Sequence, residues 1–285
     1  MPIQTCIREL ETSRQSQVLV LACSHLEFDL LPTLYEALSR IGACQSLDVI
    51  FYSRGGVVNA ARRIALLLRE FSPKVRFLVP FYCESAGTIT ALCADEIIAG
   101  PLAIFSPVDP LLANAGAGGG PLSLSSQDLR LFGEMSSSWF GLEPGEANAG
   151  ALSVLCENIF PSTLTSFYRA TLEVQAICEE LLAFHLPDGT LRKAISEKLM
   201  FGYHSHTYAL TRDELKTLGL PVTSDPRTEA MIWPVAQKLH TVIGGGARAS
   251  LEDGWFDALV ATRHGVLARR RNGELSGRWQ GFDAD

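Results

Sequence analysis

Long apolar runs are missing from this sequence. No window of eighteen or more uninterrupted apolar residues occurs, so no membrane-spanning helix is expected. The basic start and apolar middle of a signal peptide are missing too, with Arg8, Glu9 and Glu11 standing among short apolar runs, so no secretory leader is expected. A basic field is also lacking: the net charge is −7, which argues against nucleic acid as a partner. The one basic cluster, Arg269-Arg270-Arg271, reads as part of a solvated tail. The seven cysteines (Cys6, Cys23, Cys44, Cys83, Cys93, Cys156, Cys178) form no C-x-x-C pair, and most sit within apolar runs. Reduced, buried thiols in a cytoplasmic protein are the expectation. His204 and His206 lie two apart with no cysteine nearby, so no metal-ligand cluster stands out. There is no G-x-x-x-x-G-K loop, so no cofactor is expected and any ATP-driven step would need a separate partner. No internal repeat is present.

What is present is an ordinary globular composition, 47% apolar and 19% charged, over 285 residues. That length suffices for one large domain or a domain with an appendage. We divide it at residue 225, with 226–285 as an extension that packs on the core or on a neighbouring subunit.

The pattern alternates strands and helices. Gln17 to Ala22, Ser46 to Tyr52, Val75 to Val79 and Glu96 to Ala99 are short apolar runs of strand length. Phe28 to Arg40, Val57 to Phe71 and Ile89 to Cys93 carry helical spacing between them. This order predicts an α/β fold with a largely parallel sheet and crossover helices. Its functional residues should gather beyond the carboxyl ends of the strands, where Gly55-Gly56 and Ser85 fall. From Ala113 to Gly150 the composition shifts to Gly, Ala and Ser, and the run 114–120 reads as a mobile loop. Helices are predicted over Phe160 to Leu182, Leu191 to Met200 and Thr211 to Leu218, the last with Thr211 as N-cap and Gly219 just past its end. Trp255 to Arg271 alternates enough for one or two strands.

A serine nucleophile needs an exposed hydroxyl, a base and donors for the oxyanion. Ser85 stands at a strand-to-helix turn followed by the small residues Ala86 and Gly87. The Ala86 amide would open the helix and aim a free N–H at developing negative charge. Gly56, at the end of the neighbouring strand, could add a second. On these residues alone, two tight turns and an N-cap serine are the favoured explanation.

The segments Ser53-Arg54-Gly55-Gly56, Ser85-Ala86-Gly87-Thr88, Ala94-Asp95-Glu96-Ile97 and Gly100-Pro101 through Ser106-Pro107-Val108-Asp109-Pro110 resemble, in order, the motifs of the serine dehydrogenase proteinase family. That family belongs to the Clp protease and signal peptide peptidase group within the crotonase-like fold. Pro161, Tyr168-Arg169, Tyr203, Ser205-His206, Tyr208, Leu210 and Leu218-Gly219-Leu220 resemble its later segment, so the likeness spans roughly residues 15 to 222. It implies a Clp/crotonase-like fold and a serine peptidase whose nucleophile is Ser85. It also implies oxyanion and substrate contacts from Gly55, Gly56 and Ala86, peptide or unfolded protein as substrate, and assembly into a homo-oligomer. The apolar residues of Phe160 to Leu182 offer a contact face for that assembly.

Asp109 falls where Clp proteases place their catalytic histidine, and His206 near where they place the acid. Ser85, His206 as base and Asp109 as its orienting partner form the working triad, since triads recur in different chain orders. His204, Lys193 and Lys198 are competing bases, and Arg169 is either structural or a carboxylate binder. The chain departs from the family pattern at Arg54, Glu84, Thr207 and Ala209. Two other functions share the fold: a catalytically silent scaffold, and a crotonase-type acyl-CoA enzyme using Glu84 or Asp109 as acid/base, for which no CoA signature is found.

Overall fold

The short apolar runs form the strands. In a computed structural model, which describes residues 3–115, 121–243, 254–272 and 275–282, α1 (Ile3–Arg14) leads into β1 (Gln17–Cys23), α2 (Leu30–Ile41), β2 (Leu47–Ser53), α3 (Val58–Phe71) and β3 (Val75–Val79). Next come β4 (Tyr82–Cys83), α4 (Ala86–Ala91), β5 (Glu96–Ala99) and β6 (Ile104–Phe105). A hairpin of β7 (Leu111–Ala115) and β8 (Pro121–Ser125) precedes α5 (Ser126–Phe140), α6 (Pro144–Asn158), α7 (Pro161–Leu182), α8 (Gly189–Phe201) and α9 (Arg212–Thr217). The chain closes with β9 (Val222–Thr223), α10 (Pro226–Val242), β10 (Trp255–Thr262), β11 (Gly265–Asn272) and β12 (Leu275–Gly281).

The main sheet runs β12-β11-β10-β1-β2-β3-β5-β9, with β4 set between β2 and β6. Strands β1, β2, β3, β5 and β9 are parallel, so the fold is mixed α/β with a largely parallel central sheet. Strand β10 lies antiparallel on β1, with Val20 opposite Ala261, and β11 and β12 continue the antiparallel edge. Both faces are covered, which is why the central strands read as continuous apolar runs. The pleat then divides the side chains. Leu19, Leu21 and Cys23 of β1 and Leu47, Val49 and Phe51 of β2 enter one core with α2, α3, α4, α7 and α8. Val18, Val20, Ala22, Ile50 and Tyr52 enter the other, under α1 and α10.

Several expectations change. Helix α1 buries Ile3, Cys6, Ile7 and Leu10 at helical spacing, and α10 buries Ile232, Val235, Ala236 and Leu239, although neither helix is evident from the reading above. The extension after residue 225 supplies α10 and three strands that pack on the same two cores. The Arg269-Arg270-Arg271 cluster is no solvated tail: it lies on β11, where Arg269 is fully buried among carboxylates. The glycine-rich run begins inside a hairpin, since Asn114 and Ala115 pair with Leu122 and Pro121, and residues 116–120 lie outside the described residues. Of the cysteines, Cys6, Cys23, Cys83, Cys93 and Cys178 are buried, Cys44 is half-buried and Cys156 is exposed. Burial pushes the Cys23, Cys93 and Cys178 thiols up to about 12. Among the described residues no helix is long and apolar enough to cross a membrane.

Phe51 sits fully buried at the middle of the sheet, edge-on to Phe77 with ring centroids 5.1 Å apart. Phe51→Ala should therefore cost about 3–5 kcal/mol in denaturant unfolding. A loss under about 1 kcal/mol would contradict this packing.

Candidate active site

The site forms where β2 and β4 end. Beyond Ser53 the chain passes Arg54, Gly55 and Gly56 alongside Leu26, with Leu26 donating to the Gly55 carbonyl (2.7 Å) and Val57 donating to the Leu26 carbonyl (2.8 Å). In such a parallel bridge the N–H of the middle residue points away from its neighbour. Among the described residues the Gly56 amide accordingly has no acceptor. No side chain fits at Gly56: its φ is +143°, and a Cβ there would stand 2.3 Å from the Leu26 nitrogen. Gly55 has φ +110°, and a Cβ there would meet the Ser85 Cβ at 2.9 Å and lie 3.3 Å from the Ser85 Oγ. The bare backbone of Gly55 thus makes room for the serine.

Ser85 is half-buried and has φ +53° and ψ −118°. Among the described non-glycine residues only Gln15 shares a positive φ. Ser85 occupies the N-cap position of α4, but its side chain makes no capping bond. Its hydroxyl has no hydrogen-bond partner among the described residues, so the simple N-cap explanation fails. The strained turn is held from outside. The Ser85 amide donates to the Ser106 Oγ (2.7 Å), the Ser106 amide donates to the Thr88 Oγ1 (3.2 Å), and the buried Thr88 hydroxyl donates to the Cys83 carbonyl (2.7 Å). Glu84 N–H donates to the Ser53 carbonyl (3.0 Å), tying this turn to the end of β2. The Ala86 amide, first in α4, has no acceptor among the described residues.

His206 and Asp109 meet, with 2.6 Å between His206 Nδ1 and Asp109 Oδ1. Asp109 is buried, its backbone pinned on both sides by Val108 N–H to the Leu199 carbonyl (3.1 Å) and Ser126 N–H to the Pro110 carbonyl (3.2 Å). His206 rides in a turn closed by Tyr208 N–H to the Ser205 carbonyl (3.1 Å), and Leu210 bonds the turn's end to Phe105 in both directions. Phe105 directly precedes Ser106, which holds Ser85, so the serine turn and the His–Asp pair hang on one short stretch of chain. The carboxylate on Nδ1 assigns the proton to that nitrogen and leaves Nε2 as an acceptor.

The competing bases stand elsewhere. His204 lines a groove with Phe132, Met135 and Trp139. Lys193 pairs with Glu197 on its own helix, and Lys198 lies over the Tyr203 ring and donates to the Gly202 carbonyl. Arg169 is exposed and reaches the Ser166 hydroxyl, while Arg54 stacks on Tyr82, 4.4 Å from its centroid. The sequence reading assigned no part to Ser106, Thr88 or Leu26. The first two lie inside the quoted motifs, but their hydrogen bonding is visible only once the loops are folded.

The structure thus holds a serine on a strained strand-to-helix turn, two amides without an acceptor among the described residues and a His–Asp pair on connected stretches of chain. The family model described as "ClpP-like SDH-type serine proteinase" matches residues 2–120, a stretch that holds Ser53 to Gly56, Ser85 to Thr88 and Asp109 and stops short of His206. An uncharacterized protein of Methanocaldococcus jannaschii is 29% identical over 239 residues, covering 78% of this chain and 72% of the relative. Among solved structures, the 1510-N membrane-bound stomatin-specific protease aligns at TM-score 0.46 and 14% identity, over 80% of this chain and 86% of that one. ClpP1 from Listeria monocytogenes aligns at 0.43 and 14%, over 77% and 96% of the two chains.

Glu84 directly precedes the serine. Burial pushes its carboxyl above the ordinary carboxylate range, opposed by the charges of Arg54 and His206. A raised folded value means the protonated form is favoured on folding. Its stabilising effect is full below the unfolded value of about 4.3 and is lost as pH rises through the raised one. Glu84→Gln should thus unfold at a higher denaturant midpoint than the native chain at pH 7, with the gap closing toward pH 4. An equal gap at both pH values would contradict the assignment.

Proposed function

We propose that this protein is a serine peptidase that hydrolyses peptide bonds through an acyl-enzyme on Ser85. The observation that carries the reading is the 2.6 Å His206–Asp109 pair hung on the same stretch of chain that fixes the strained Ser85 turn. In this mechanism His206 Nε2 takes the proton of Ser85 Oγ as that oxygen attacks the scissile carbonyl carbon. The carbonyl oxygen becomes an oxyanion and accepts the Gly56 and Ala86 N–H groups. His206 then gives its proton to the leaving amine nitrogen as the C–N bond breaks. A water, deprotonated by His206, then attacks the ester carbon; as the bond from that carbon to Ser85 Oγ breaks, His206 returns the proton to Oγ, and the new carboxyl product leaves. Asp109 keeps the imidazole in the required tautomer and stabilises the imidazolium. No nucleotide enters these steps.

Peptide or unfolded protein segments are the substrate class this chemistry fits, and self-association follows from the family likeness. The seven free thiols fit a reducing, cytoplasmic setting. One observation favours a second reading, a silent scaffold: Ser85 Oγ and His206 Nε2 are not hydrogen-bonded in this conformation. Such contacts often tighten only with substrate.

The readings separate on a serine-directed fluorophosphonate. The native chain should label and Ser85→Ala should not, with peptide hydrolysis lost in parallel. His206→Ala and Asp109→Asn should each lower kcat on the order of 10³–10⁴-fold while the chain stays folded. A native chain that neither labels nor cleaves would favour the scaffold.

A further inference from the structure

The C-terminal strands carry an ionic cluster, centred on the buried Arg269–Asp257 pair, that none of the steps above uses. Arg269, fully buried on β11, donates from Nε and Nη2 to the two oxygens of Asp257 on β10 (2.9 and 2.7 Å). Its Nη1 reaches Glu27 Oε2 at 3.1 Å and both oxygens of Asp29 at 2.5 Å. Arg271 joins Glu27 at 2.5 Å and also donates to Asp257. Room for the Arg269 stem comes from Gly277 of β12, where a Cβ would stand 2.8 Å from the Arg269 Cγ. The Trp279 ring centroid lies 6.0 Å from the guanidinium carbon. Burial opposes the Arg269 charge, but the bonds to Asp257 and Asp29 outweigh it, and the guanidinium is held more firmly protonated than in water.

All of these carboxylates border one loop. Ser24 N–H donates to the Asp257 carbonyl (2.8 Å), and Glu27 and Asp29 carry the cluster's other anions. Between Ser24 and Glu27 stands Leu26, whose two backbone bonds hold Gly55 and Val57 and so set the direction of the Gly56 N–H. The loop is therefore gripped on one side by the C-terminal hairpin, and on the other it grips the glycine turn. The guanidinium fork is suited to this, because a lysine offers no planar set of donors for three carboxylates at once.

We propose that Arg269 is a positioning residue for the oxyanion site: by clamping Asp257, Glu27 and Asp29 it fixes the loop of residues 24–29 and, through Leu26, the Gly56 amide. This rests on the peptidase reading above, and it makes residues beyond 225 part of the catalytic apparatus.

The test compares the native chain with Arg269→Lys and with the double variant Glu27→Gln/Asp29→Asn. The double variant leaves the Arg269–Asp257 pair intact and buries no unpaired charge, so it keeps the proposal testable if Arg269→Lys fails to fold. Amide hydrogen exchange by NMR at Leu26 and Val57 should speed up about tenfold or more, while Ile50 and Phe77 in the central strands keep their native protection. On a peptide substrate kcat should fall about 10- to 100-fold with KM within about twofold, as expected for lost oxyanion stabilisation. Native exchange at Leu26 and Val57 in the folded double variant overturns the clamp. Faster exchange with unchanged kcat overturns its catalytic link. If the native chain itself neither labels nor cleaves, the peptidase reading fails, and the exchange measurement alone still decides whether the cluster holds the loop.

Discussion

A serine held at φ +53° is the constraint around which the rest of the site is arranged. Positive φ costs a non-glycine residue about 1–3 kcal/mol and persists only where the surroundings over-determine it. Here the surroundings are specific. Ser106 takes the Ser85 amide, Thr88 links Ser106 to the Cys83 carbonyl, and Gly55 leaves the space that any Cβ would fill. The Ser85 hydroxyl does not take the capping role that a relaxed N-cap serine would adopt, and among the described residues the Ala86 N–H has no acceptor.

The parallel sheet explains why these parts come from distant stretches of sequence. Strands β2 and β4 deliver the glycine turn and the serine to the same end of the sheet, side by side through the Ser53–Cys83 pairing. Strand β6, next to β4, runs on to Ser106 and Asp109, and the bridge from Phe105 to Leu210 returns the chain to His206. The family match ends at residue 120, yet the proposed base and three members of the cluster behind the glycine turn, Asp257, Arg269 and Arg271, lie beyond it. In the proposed reading the site draws on the parallel strands and on the antiparallel edge alike.

Much of this was legible in the residues. Central strands buried on both faces are mostly apolar, so Gln17 to Ala22 and Ser46 to Tyr52 stood out despite Asp48, and Thr211 as N-cap marked the start of α9. What stayed hidden was set by tertiary contacts. The pattern Ile3, Cys6, Ile7, Leu10 is short and interrupted by charge, so α1 shows itself only through the face it buries against the second core. Three consecutive arginines look solvated in one dimension; in the sheet, alternation sends Arg269 inward to Asp257 and Asp29 while Arg270 faces solvent. At the site, motif order pointed to Ser85, Asp109 and His206. Sequence order could not show that His206 reaches Asp109 while His204 turns to another groove.

The most direct test of the central claim is a crystal structure of the protein after reaction with a fluorophosphonate. The account predicts phosphorus bonded to Ser85 Oγ, its free oxygen about 3 Å from both the Gly56 and Ala86 nitrogens, and the His206 Nε2 within hydrogen-bond reach of the bonded oxygen. An adduct whose free oxygen points to solvent, with those two amides bonded elsewhere, would contradict it.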